Sequence, residues 1–247
     1  MNRSGSKKDV EVVEYRVGKE GELDVARYDA TRYQGPANEY KQRVMENAYM
    51  QLVGHLEGKR ILDVGCGTGR GLIPFARKAA FAFGSDASHD MLVFAARKVT
   101  EDLRCAFVQA QAQRLPFADA SFDVVTALNF LHIFSMETQH EMVAEMKRVT
   151  RPGGFLVLEF DNALQGLLLG VYKRYFGDER GSLPREIGYV LGDQCRIVQI
   201  YGAVFPVVWR LFRYFPKIFE VVEKIAYVPP FNRFSHRIYY KVQRISS

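Results

Sequence analysis

The 247 residues are 48% hydrophobic and 25% charged, which is enough apolar material for a packed core and excludes a largely disordered chain. Three widely spaced cysteines (Cys66, Cys105, Cys195) without a C-x-x-C pair argue against a disulfide framework or a zinc knuckle, so no metal is expected and a reducing, cytoplasmic setting fits. The net charge of +6 sits wholly between residues 203 and 247, where eight Lys/Arg face Glu220 and Glu223; this is a local basic surface, and no DNA partner is expected.

Residues 1–23 are charged and aperiodic and read as a mobile arm, with one short strand at 10–13. The polar start has no apolar h-region, which argues against a secretory signal, and no run approaches the ~18 apolar residues of a spanning helix. From 24 to 247 a single domain is expected, beginning with a lid over 24–56. Within that lid Val44, Tyr49, Leu52, Val53 and Leu56 recur at helical spacing over 38–56, and Gly58 ends the helix. A strand at 61–64 then runs into glycines. Helices and strands alternate beyond it: helix 68–78, strand 80–85, helix 88–100, strands 104–109 and 122–127, helix 137–149, strand 155–160. Pro74 is tolerable only near the first turn of its helix. Arg151-Pro152-Gly153-Gly154 reads as a helix stop and tight turn. Strands at 195–200 and 237–244 close the pattern, separated by an aromatic and basic insertion at about 203–235. The class is α/β, a doubly wound Rossmann-like sheet with helices on both faces.

Ile61-Leu62-Asp63-Val64-Gly65-Cys66-Gly67-Thr68-Gly69 is a strand that breaks into G-x-G-x-G and then a helix. Glycines there let a ligand lie against the main chain while the helix presents unpaired N–H groups, which suits an adenosine-type cofactor. A dinucleotide fingerprint would need a third glycine where Arg70 stands, and a phosphate-binding P-loop would need Gly-Lys-Ser/Thr. Neither is present. Asp86, in Gly84-Ser85-Asp86-Ala87-Ser88, falls at the end of the neighbouring strand, where a carboxylate can accept from both ribose hydroxyls or, alternatively, cap the next helix. Met91 would pack on an adenine face or in the core.

These segments, with R-L-P-F-A-D-A-S-F-D-V-V and R-V-T-R-P-G-G, resemble class I S-adenosylmethionine-dependent methyltransferases, in particular the branch with ubiquinone/menaquinone-biosynthesis and natural-product enzymes. The resemblance covers residues 61–160. It implies a seven-stranded sheet with an antiparallel last strand and S-adenosylmethionine as cofactor. It also implies that Asp63, Gly65, Cys66, Gly67 and Gly69 hold the methionine part, while Asp86 and Ala87 hold the ribose. Gln111-Ala112 stands where the family usually has an acidic residue and a small one, and Gln111 can still offer an amide oxygen to the adenine amino group. Leu128 and Asn129 match the lip near the sulfonium.

Transfer from a sulfonium is an in-line displacement in which the protein chiefly aligns the partners. His132, in Asn129-Phe130-Leu131-His132, is the family-placed candidate for a base, or it simply packs the start of the next helix. The same tetrapeptide lacks the prolines of amino-methylating nucleic-acid enzymes, and no cysteine follows a proline as in C5-type enzymes. Tyr28, Tyr33 and Tyr40, with Gly35-Pro36 as a hinge, are lid candidates or ordinary surface, and Phe130 is a candidate acceptor contact. Trp209, among Arg210, Arg213 and Lys217, belongs to a stretch that can wall an apolar acceptor pocket, lie on a membrane surface or form a homodimer face. The expected reaction is methylation of a small, partly apolar or lipid-like acceptor. A non-catalytic cofactor-binding scaffold and an RNA methyltransferase using the basic patch are the alternatives.

Overall fold

The computed structural model describes residues 24–31, 35–163, 182–203 and 235–245. Its centre is a seven-stranded sheet in the order β3-β2-β1-β4-β5-β7-β6. The strands are β1 (Arg60–Val64), β2 (Phe81–Asp86), β3 (Cys105–Gln109), β4 (Phe122–Ala127), β5 (Thr150–Asp161), β6 (Cys195–Ala203) and β7 (Arg237–Arg244). Strands β1 to β5 pair in parallel, and β7 runs antiparallel to both of its neighbours, β5 and β6. The strand alternation of the sequence thus becomes the expected Rossmann-like sheet with its single reversed strand.

Successive residues of the central strands serve opposite faces. Ile61, Val124 and Val157 pack with Leu52 of helix α2 (Pro36–Val53) and Phe75 of helix α3 (Leu72–Ala76). Leu62, Val125 and Leu156 pack with Met142 and Met146 of helix α5 (Met136–Val149) and with Ile187 of helix α6 (Pro184–Leu191). Two further α-helices, α1 (Val25–Thr31) and α4 (His89–Ala96), and a 3-10 turn over Leu131–Ile133 complete the described elements. Local signals set several ends: Pro36 opens α2, Ser88 accepts from Met91 N to cap α4, and Ser135 accepts from Thr138 N to cap α5.

Three expectations need correction. The helix expected over 68–78 is confined to Leu72–Ala76, because residues 65–71 are spent on the loop; Pro74 consequently falls in its first turn, where its missing N–H costs nothing. The helix expected over 88–100 stops at Ala96. The turn expected at 151–154 lies inside β5, where the register shifts from the pair Phe122 and Thr150 to the pair Val124 and Phe155, so the extra residues form a bulge with Gly153 at φ 75°. Helices α1 and α6 were not foreseen. The arm at 1–23 and most of the insertion at 203–235 lie outside the described residues. No described helix is long and apolar enough to cross a membrane.

Candidate cofactor and active site

A pocket opens at the carboxyl ends of the strands beside β1 and β4, where chain connections depart in opposite directions along the sheet. Strand β1 delivers Asp63 to this edge and then turns into the glycine loop. The loop is tied to β2: Gly65 N and Cys66 N donate to Ser85 O at 2.8 and 3.0 Å, and Gly67 N donates to Asp86 Oδ2 at 2.8 Å. Gly65 adopts φ 70°, and a methyl group added to it would lie 2.2 Å from Cδ2 of Phe130. Gly67 has φ 51°, yet a methyl there would meet nothing within 4 Å. The first glycine is required for both conformation and space, the second for conformation and for a ligand laid against the main chain.

Asp86 is buried, and its Oδ1 accepts from Ser88 N at 2.9 Å. The helix cap itself belongs to Ser88. Each Asp86 oxygen takes one backbone N–H and retains a second lone pair, so the carboxylate shapes the loop without exhausting its capacity to accept.

Of the residues anticipated for binding, Tyr28, Asp63, Gly65, Cys66 and Gly67 line the pocket on one side, with Met91, Leu128 and Asn129 also at its wall. Gly69 closes the loop, its N–H donating to Cys66 O at 2.9 Å. Ala87 follows Asp86, and its carbonyl accepts from Gln109 Nε2 at 2.9 Å. Beyond β3, Gln111 is exposed and Ala112 buried. Phe130 lies on Gly65 and meets Phe134 edge-on at 5.1 Å. Tyr33 and Trp209 lie outside the described residues, as do Arg210, Arg213 and Lys217 of the stretch on which the membrane and dimer readings rested.

The sequence reading missed one wall. Gln42, Met45, Glu46 and Tyr49 of α2 face the pocket, and so does Arg70. Their spacing of three, four and seven is helical, but it runs beside the stronger apolar stripe of Val44, Ala48 and Leu52 and was hidden by it. A hydrogen-bond chain crosses this wall, from Arg70 Nη1 to Gln42 Oε1 at 3.1 Å and from Gln42 Nε2 to Glu46 Oε1 at 2.7 Å.

Also unforeseen is a buried ionic group behind the lip. Glu159 is fully buried, and its Oε2 accepts from Tyr49 Oη at 2.7 Å and from Asn129 N at 3.0 Å. Its Oε1 lies 3.2 Å from Arg237 Nη1, which also pairs with Asp161. Burial raises the Glu159 carboxyl, with the Arg237 cation opposing it. Glu159 therefore fixes both a pocket tyrosine and the backbone of Asn129, whose left-handed φ of 53° an asparagine tolerates. His132 Nδ1 lies 3.5 Å from Arg237 Nη1. A guanidinium only donates, so in this contact Nδ1 is the acceptor and a neutral ring carries its proton on Nε2.

Asp63 is also inside, with Thr126 Oγ1 donating to its Oδ1 at 2.6 Å. Burial and the neighbouring Asp86 charge push its carboxyl up to about 7 despite that hydrogen bond. The folded chain therefore holds a proton that the unfolded chain has released, and without ligand its stability falls as pH rises from about 3.8 to about 7. Asp63→Asn imitates the protonated form and removes that slope. Denaturant titrations across this window should show the variant gaining on the parent as pH rises; parallel curves would contradict the assignment.

Residues 61–154 match the family model for a methyltransferase domain. Curated relatives include a demethylmenaquinone methyltransferase of Deinococcus radiodurans, 41% identical over 139 residues, covering 55% of this chain and 56% of the relative. The enzyme of the same name from Renibacterium salmoninarum is 38% identical over 124 residues, 50% of each chain. The chain thus spans about half the length of the curated relatives it matches. In fold, it resembles the magnesium protoporphyrin IX methyltransferase of Synechocystis solved with S-adenosylhomocysteine (SAH), with a TM-score of 0.66 at 20% identity, covering 96% of this chain and 100% of that one. The chain has the fold of that structure, and its residues 61–154 match a methyltransferase domain. The [4+2]-cyclase SpnF, with a TM-score of 0.58 at 20% identity over 82% of this chain and 81% of that one, shows that the domain's fold does not by itself fix the reaction. Within this domain the chemistry must be argued from the pocket.

Proposed function

We propose that the methyltransferase domain binds S-adenosylmethionine in the β1 pocket and transfers its methyl group to a small, partly apolar acceptor. The observation that carries this reading is the glycine loop, with the main chain open at Gly67 and close-packed under Phe130 at Gly65, set between a buried carboxyl on β1 and another on β2. A nucleoside fits such a cradle through main-chain contact and ribose hydrogen bonds, and a cationic amino-acid end suits Asp63. In this assignment Gly65, Cys66, Gly67 and Gly69 hold the methionine part, and Asp86 and Ala87 the ribose. Met91, Gln111 and Ala112 serve the adenine, and Leu128 and Asn129 border the sulfur.

When bound, the cofactor supplies an electrophilic methyl group that needs no further activation. The chain supplies alignment, worth roughly 7–11 kcal/mol where two reactants are held in register. Glu159 contributes by fixing the lip at Asn129, and Phe130 by presenting an aromatic face beside Gly65. For His132 the contact with Arg237 favours a ring that donates from Nε2; use as a base requires the other tautomer. Alignment therefore carries more of the proposed catalysis than proton removal does.

The similarity to enzymes named for demethylmenaquinone and magnesium protoporphyrin supports a flat, conjugated acceptor with apolar parts. Leu128, Tyr28 and Tyr49 give the pocket walls suited to such a ring.

Titration calorimetry with S-adenosylmethionine tests the cofactor assignment. The parent chain should bind, and Asp86→Ala should weaken binding by about 1.5–3 kcal/mol through loss of charged hydrogen bonds. Absence of binding to the parent chain would overturn the reading, and an unaltered Asp86→Ala would remove Asp86 from the site.

A further inference from the structure

One carboxylate outside the anticipated site gathers three side-chain partners, two of them cations. Asp29, in α1, is buried although it belongs to a short helix at the edge of the sheet. It accepts from Thr68 Oγ1 at 2.5 Å, from Arg70 Nε at 2.8 Å and Nη2 at 3.1 Å, and from Lys98 Nζ at 2.9 Å. The Asp29 carbonyl accepts from Arg70 Nη2 as well, at 2.7 Å, and Lys98 also reaches Thr68 O at 3.1 Å. One side chain thereby ties three segments: the N-terminal helix, the glycine loop and the stretch after α4. Its neighbour Tyr28 lines the pocket, as do Thr68 and Arg70.

The charges matter as much as the tie. Arg70 brings a cation to the wall of a pocket whose own carboxylates are Asp63 and Glu46, and Lys98 adds a second behind it, on Asp29 and the Thr68 carbonyl. A site for a sulfonium compound is poorly served by uncompensated positive charge. Asp29 lies against both cations, and although burial opposes ionisation, hydrogen bonds from Arg70, Thr68 and Lys98 outweigh it and hold the carboxyl at about 2. It is therefore ionised throughout the neutral range.

We propose that Asp29 is a positioning and specificity-determining residue of the cofactor site: it latches α1 to the glycine loop, and by offsetting one of the two charges of Arg70 and Lys98 it shifts the pocket's preference toward the sulfonium cofactor relative to its demethylated, uncharged-sulfur product. This rests on the cofactor reading above. The consequence is a balance between cofactor and product set in part by a residue outside the pocket lining.

The test compares the affinities of S-adenosylmethionine and SAH for the full chain at low ionic strength, where rim charges are least screened. In Asp29→Asn, which keeps the shape and one acceptor oxygen, both ligands should bind more weakly, and S-adenosylmethionine should lose roughly fivefold more than SAH, the size expected of one unit of charge acting across a partly screened site. Adding Lys98→Gln to Asp29→Asn should return the ratio to that of the parent. Lys98→Gln alone should shift the ratio the other way, and this variant serves if Asp29→Asn does not fold. A purely structural latch would weaken both ligands equally and leave the ratio fixed; that result, or a ratio that Lys98→Gln does not move, overturns the proposal. If the parent chain binds neither ligand, the cofactor reading fails instead, so the two failures are distinct.

Discussion

Arg237→Ala should lose about 3–5 kcal/mol of folding stability, the range for breaking a buried ion pair from one side. Arg237 is 7% exposed and stands against Glu159 at 0% and Asp161 at 9%, so its removal takes from two carboxylates inside the sheet a cation that they share. Burial would lower the Arg237 charge on its own, but Glu159 and Asp161 overcome this and hold the guanidinium firmly protonated. The group spans β5 and β7, where Glu159 pairs with Tyr239 and Asp161 with Arg237, so the loss falls on the junction that carries the one antiparallel strand. Urea unfolding followed by fluorescence would report it, and a loss below about 1 kcal/mol would show that water or protonation relieves the charges at little cost. Because the same Glu159 holds Tyr49 and Asn129, cofactor affinity should fall in parallel. Combining Arg237→Met with Glu159→Gln should cost less than the two single changes added together, since the charge and its counter-charge leave at once.

This group also marks the boundary of what the sequence discloses. The places of the glycine loop and of Asp86 in the fold were legible because their signal is local: a strand, a break and a carboxylate at a strand end are read within a few residues. The parallel sheet was legible for the same reason, since a strand buried on both faces, such as Ile61-Leu62-Asp63-Val64, is apolar almost throughout. Glu159 and Arg237, by contrast, lie in strands separated by the insertion, and nothing near either residue announces the other. Asp29 and Lys98 are likewise brought together only by the fold. The pocket stripe on α2 was present in the sequence but overlaid by a core stripe one position away, and a period alone cannot say which face meets a ligand. Arg70 is the instructive case. Read in sequence it was a missing glycine that excluded a dinucleotide; in the structure it is a pocket residue whose guanidinium turns back to the N-terminal helix. The shortened helix after the loop follows from the same economy of space, because residues that curve around a ligand site cannot also complete a helical turn.

Gly65→Ala should abolish measurable cofactor binding and also destabilise the unliganded chain by about 1–3 kcal/mol. Two effects add. The backbone at φ 70° is one that a residue with a Cβ adopts only under strain, and the new methyl would lie 2.2, 2.4 and 2.7 Å from three carbons of the Phe130 ring. Contacts that short cannot persist, so the ring must move away from Phe134 or the loop must lift from Ser85, whose carbonyl accepts both Gly65 N and Cys66 N. Either movement deforms the surface proposed to receive the methionine part. Gly67→Ala provides the contrast, because a methyl there meets nothing within 4 Å and the unliganded chain feels only the strain of φ 51°. Thermal unfolding should therefore rank Gly65→Ala below Gly67→Ala, while calorimetry should find both impaired in binding. Phe130→Ala introduced beside Gly65→Ala should recover the part of the stability due to the clash, and none of the part due to backbone strain. If Gly65→Ala instead melts with Gly67→Ala and binds S-adenosylmethionine normally, then the loop is not the cradle, and the site must be sought elsewhere along the strand ends.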